Sequence, residues 1–238
     1  MAIAGSIAVI FFVLFMALGT WQVQRRAWKL DLIARVEQRV HAPATAAPGL
    51  AQWPNITAAS DEYRHVTAAG TFLDASQTLV QAVTDFGAGF WVLTPLREAD
   101  GSVVLVNRGF IPADDRGRVQ LAGLAAVSTV TGLLRMTEPR GGFLRHNNPG
   151  ANKWYSRDVQ AIAAARGLTR VAPYFIDAEG PPVHPSPGSA SASEPTGVLP
   201  TPGLTVVRFH NSHLVYAITW YTLALMVAIA ITLGLRKP

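Results

Sequence analysis

One imidazole, a set of aromatic rings and a cluster of cations stand where two apolar stretches of this sequence meet polar chain. His213 opens the run Leu214–Leu235, which holds no charged residue. Read as a helix, His213, Tyr216, Ala217, Trp220 and Ala224 are spaced by three and four residues and fall on one face. That face carries an imidazole, two aromatics and two small residues, and could hold a flat, apolar ligand at a membrane surface. The other apolar stretch ends in L-G-T-W-Q-V-Q-R-R-A-W-K, residues 18–29, and supplies Trp21, Arg25, Arg26, Trp28 and Lys29. Trp21 and Trp28 suit an interfacial aromatic belt or the walls of a ligand pocket. His213 also suits a plainer role, as an interfacial residue bonded to lipid or loop backbone.

The elements that must position these residues follow from hydropathy. Residues 1–23 and 214–235 are each long enough to cross a bilayer as a helix, which takes roughly 20 apolar residues. Arg236 and Lys237 close the second span. The first lacks a basic leader and a small-residue cleavage site, and is expected to be an uncleaved anchor. Residues 24–55 read as an amphipathic continuation of that helix to Val40, then a linker rich in Ala and Pro from His41 to Asn55. Residues 56–178 read as a mainly β (α+β) extramembrane domain. Strands are expected over Tyr63–Phe72, Thr78–Val83, Phe90–Arg97, Val103–Val106, Thr129–Met136 and Thr169–Asp177. Asp100-Gly101 signals a hairpin, and Asp158 and Gly167 bracket a short helix. Residues 179–203 hold seven prolines and form a linker. Residues 204–213 return to the second span, with a strand expected over Leu204–Phe209. The fold class is a membrane protein with two transmembrane helices flanking that domain.

Several function classes drop out. The chain has 238 residues, a net charge of +5 and no cysteine. Disulfides, thiolate metal sites and thiol nucleophiles are therefore excluded. The arginines are scattered, or clustered where a helix leaves the membrane and meets lipid head groups, so nucleic acid is not an expected partner. The pairs Asp61–Glu62 and Asp114–Asp115 read as solvated. Arg108 in N-R-G-F reads as a strand end paired with a carboxylate, and Trp154 and Tyr155 as packing. His65, His146 and His184 read as surface residues. No G-x-S-x-G, phosphate-binding glycine loop or H-E-x-x-H is present, and no enzyme is expected.

Five stretches in order resemble the Surfeit-locus (Shy-type) assembly factors of cytochrome c oxidase. They are residues 18–29, then G-F-W-V-L-T-P-L with G-S-V-V-L-V-N-R-G-F-I-P over 89–112, G-L-L-R at 132–135, N-N-P-G-A-N-K-W-Y-S-R-D at 147–158, and N-S-H-L-V-Y-A-I-T-W-Y at 211–221. The resemblance covers nearly the whole chain; the insert at 179–203 is longer than the family pattern suggests.

The resemblance implies an assembly factor in the bacterial inner membrane that binds haem a and passes it to the large, haem-bearing oxidase subunit. His213 would be the axial ligand to the haem iron, with His210 as a competitor. Tyr216, Trp220, Trp21 and Trp28 would wall the site, and Arg25 and Arg26 would meet the propionates. Implied partners are that subunit, haem a synthase and the bilayer. A scaffold that stabilises an oxidase intermediate without haem is the alternative. A count of positive charge alone places the loop domain in the cytoplasm. The resemblance implies the opposite, with the loop domain in the periplasm.

Overall fold

The computed structural model describes residues 2–117, 127–142, 144–180, 200–204 and 211–235. The chain divides into two compact units, Met1–Gln38 with Val207–Pro238, and Arg39–Val206.

The first unit holds helix α1 (Ala2–Val40) but for its last two residues, and helix α4 (His213–Leu235). Both contain stretches apolar and long enough to cross a membrane, with mean hydropathies of 2.0 and 2.1. Their sides are mostly exposed, from Ile10 and Val13 to Ile218 and Leu225. A helix apolar all round is suited to lipid. The chain is a membrane protein with two spanning helices.

The second unit is built on a seven-stranded sheet, in the order β1 (Thr45–Ala46), β2 (His65–Phe72), β6 (Ser128–Met136), β7 (Val171–Ala178), β5 (Val103–Pro112), β4 (Gly87–Glu98) and β3 (Thr78–Thr84). A further pairing of β2 with β4 closes β2, β6, β7, β5 and β4 into a ring. That pairing is short, running from Gly70 opposite Glu98 to Phe72 opposite Leu96. A side chain at Gly70 would run into the Arg97 carbonyl oxygen, so the closure needs glycine there. All five ring strands contribute to the interior, with Val66, Leu96, Val104, Leu134, Tyr174 and Ile176 at its centre. Successive strand residues face opposite ways, and the alternate set on β5, β7 and β4 (Leu105, Phe175 and Leu93) packs outside under helix α3 (Val159–Ala165) and Trp154. Both faces of β5 are therefore covered, which is why V-V-L-V lacks polar alternation. The Asp158 side chain caps α3 by accepting from the Ala161 N–H, and Gly167 ends it at φ +63°.

Three expectations are corrected. The stretch 41–55 is more than a linker: Thr45–Ala46 pair in parallel with β2, and Ala47 and Trp53 pack on the interior cluster. Its proline is what makes it look unstructured, yet the Pro48 carbonyl accepts from both Trp53 Nε1 (2.8 Å) and the buried Tyr174 hydroxyl (2.7 Å). Burial, with Glu98 nearby, pushes that hydroxyl's pKa up. Asp61 and Glu62 are not a solvated pair. Asp61 is buried at the end of the one-turn helix α2 (Ala58–Asp61), where it accepts from the Thr57 N–H and pairs with Arg64. Glu62 pairs with Arg135. His65 is half-buried, with Nδ1 2.7 Å from the Ala42 carbonyl and Nε2 3.0 Å from Glu179. The strand expected over Leu204–Phe209 lies largely outside the described residues, as do most of the proline-rich segment and His184. Just before it, Thr201 exchanges two backbone hydrogen bonds with Phe110.

Candidate ligand site on the helix pair

Helix α1 carries a stripe at alternating intervals of four and three, Ala8, Phe12, Phe15, Gly19, Gln22, Arg26 and Lys29, which meets α4 at Phe15, Gly19 and Gln22. Helix α4 answers with His213, Ala217, Trp220, Ala224, Val227 and Ile231. A seven-residue repeat on both members is the pattern of helices that pack along a seam with a left-handed twist. Ala217 and Ala224 are fully buried in that seam. Phe15 stacks on Trp220, with centroids 5.7 Å apart. Gly19 is required by close approach: a Cβ there would lie 2.7 Å from the Tyr221 ring. The Tyr221 hydroxyl lies 3.2 Å from Thr20 Oγ1, which itself donates to the Met16 carbonyl.

At the seam's polar end His213 Nδ1 lies 2.8 Å from Gln22 Oε1. An amide oxygen only accepts, so the contact calls for an N–H at Nδ1, the tautomer that leaves a lone pair on Nε2. Gln22 is buried, and a buried amide needs such a partner. Arg25 and Arg26 follow one turn later, about 5–6 Å further along the axis at 1.5 Å per residue. The Arg25 guanidinium lies 4.3 Å over the Trp28 ring.

The residues singled out in the sequence divide between two surfaces. His213 and Trp220 face α1 together with Ala217 and Ala224. Tyr216, grouped with them by spacing, is 53% exposed on the outer side, as are Trp21 at 54% and Trp28 at 49%. Between Gly19 and Phe15 on α1 and Trp220 and Tyr221 on α4 the seam is occupied by side chains. His210 lies outside the described residues. The sequence reading passes over Gln22, although the three-four spacing that runs through Phe15 and Gly19 sets it opposite α4.

The sequence profile of the SURF1 family matches residues 9–225. The human protein named Surfeit locus protein 1 is 35% identical over 229 residues, which cover 87% of this chain and 69% of the human one. The rat protein of the same name is 38% identical over 226 residues, covering 87% and 67%. A SURF1-like protein of Monosiga brevicollis is 33% identical over 234 residues, covering 92% and 82%. The chain belongs to the SURF1 family.

Of the five stretches that carry the family resemblance, two form the helix-pair site. The other three meet inside the β domain at one carboxylate. Asp177, 3% exposed on β7, receives Asn107 Nδ2 at 2.8 Å, Arg135 Nη1 at 3.0 Å and Arg157 Nη1 at 3.2 Å. These come from N-R-G-F, G-L-L-R and K-W-Y-S-R-D respectively. Arg157 also bonds Glu138 and lies 4.7 Å over the Phe175 ring. Burial pulls the Arg157 guanidinium's pKa down, but Asp177 and Glu138 outweigh it and raise it. Burial likewise pushes the Glu138 carboxyl up, and the Arg157 hydrogen bonds and charge hold it below the usual range. Arg108 pairs with Asp74 at 3.1 Å and lies 4.5 Å over Phe72, a structural role. Sequence order gives no hint that these motifs share Asp177, because β7 is aligned with β5 and β6 only by the fold.

Proposed function

We propose that this chain is an assembly factor, not an enzyme, for haem–copper (cytochrome c) oxidase in a bacterial inner membrane. In this reading it holds haem a through His213 and delivers it to the large oxidase subunit, with haem a synthase as the source. The observation that carries the reading is the imidazole at the polar end of the seam, its Nδ1 2.8 Å from Gln22 Oε1, one helical turn from two arginines.

The residues fit the group on chemical grounds. Haem a supplies redox-active iron to the finished oxidase, and an imidazole nitrogen is a common axial ligand for such iron. His213 provides that nitrogen. Arg25 and Arg26 provide cations for the propionates at the aqueous edge. Tyr216, Trp21 and Trp28 provide an exposed aromatic surface for an apolar macrocycle.

The test is a pyridine-haemochrome spectrum of the full chain, purified after co-production with the haem a biosynthetic enzymes, beside His213→Ala. Haem a in the parent and little in the variant is the expected result. Equal haem in both would move the ligand to another side chain such as His210. A second reading, a scaffold without haem, is favoured by one observation: three of the five shared stretches are spent on building the β domain. Absence of haem from both proteins, with oxidase assembly still dependent on the chain, would select it.

A further inference from the structure

We infer that Gln22 is a positioning residue that fixes the tautomer and plane of His213, so that Nε2 is the nitrogen offered to a ligand. The inference rests on the haem-carrier reading for its purpose, but its physical core concerns this chain alone. The unconstrained imidazole has two neutral tautomers and a rotatable ring. Here Gln22 Oε1 sits 2.8 Å from Nδ1. It comes from the other helix, 191 residues earlier in the chain. Metal-ligating histidines generally donate their second ring N–H to such an acceptor, which sets ring orientation and raises the basicity of the ligating nitrogen.

Gln22 is itself held. It is 9% exposed, three residues from Gly19, whose missing side chain admits the Tyr221 ring. The Phe15–Trp220 stack lies two turns further along the same stripe. The amide therefore cannot swing away without opening the seam. The tautomer and plane of His213 are therefore set only when α1 and α4 are paired. An isolated α4 would present an imidazole of undefined tautomer.

The experiment uses the full chain in detergent micelles, labelled with 15N-histidine and free of haem, at a pH where the ring is neutral. His213→Ala identifies the His213 signals among those of the six histidines. The parent is expected to show the Nδ1–H tautomer; Nε2–H in the parent overturns the proposal outright. Gln22→Glu keeps an acceptor at the same reach and should retain Nδ1–H, whereas Gln22→Leu should lose it. Titration with ferric haem a should then give an affinity roughly tenfold lower for Gln22→Leu, with Gln22→Glu near the parent. Should Gln22→Leu not fold, the parent tautomer and Gln22→Glu still decide. Parent-like tautomer and affinity in Gln22→Leu would sink the positioning role while leaving the carrier reading intact, provided His213→Ala loses haem. If His213→Ala binds haem as the parent does, the carrier reading fails, and positioning toward iron falls with it.

Discussion

At the scale of single residues, Asp177 is a buried charge on which the β domain converges. It answers two arginines and an asparagine from three separate strands and loops. Removing one partner of a buried ion network leaves the others desolvated and unpaired, at a cost of about 3–5 kcal/mol. Asp177→Asn keeps the shape and removes the charge. It should lower the thermal midpoint of the full chain in detergent by several degrees and leave the haem content per folded molecule unchanged. A midpoint within a degree of the parent would mean that Glu138 and Glu62 suffice to hold the arginines. Asp177 is not legible in the sequence. A lone aspartate at the end of an apolar strand has no neighbours in the chain to mark it. Arg108 is legible as a structural residue, because Asn-Arg-Gly is turn chemistry whatever its partner.

At the scale of elements, local signals read well and long-range ones do not. Asp100-Gly101 turns the β4–β5 hairpin, with Gly101 at φ +80°. Asp158 caps its helix as its type and position require. The closure of β2 onto β4 is invisible, since it joins strands that β3 separates in the chain, through only three residue pairs. The helix pair is legible as two spans, but the spacing on α4 alone shows only half of its seam. The stripe on α1 supplies the rest. Gly19 and Gln22 are a small and a polar residue in an apolar run, and only the period of seven sets them on one line with Phe15. Gly19→Leu drives a branched side chain into the Tyr221 ring. Overpacking of this kind costs about 1–3 kcal/mol. The variant should melt at a lower temperature than the parent in detergent, followed by the helical signal in far-UV circular dichroism. Unaltered stability would show that Tyr221 can rotate out of the way.

At the scale of the whole molecule, two spans put both chain ends on one side of the membrane and the β domain on the other. An alkaline phosphatase fusion at Pro238 is expected to be inactive and one inserted within the β domain active. The reverse pattern would place the β domain in the cytoplasm, as charge counting alone suggests. The order of strands carries a further consequence for how such a domain is made. β7 is the last of the ring strands in the chain, yet it lies between β5 and β6 and is hydrogen-bonded to both. Until Ala178 has emerged, β5 and β6 each keep an unpaired edge, and such edges invite pairing with other chains. Between the completion of β6 at Met136 and that of β7 at Ala178 the growing chain therefore carries two open strand edges. Over that interval the half-made sheet is open to pairing with other chains, and a chaperone would have its natural place there.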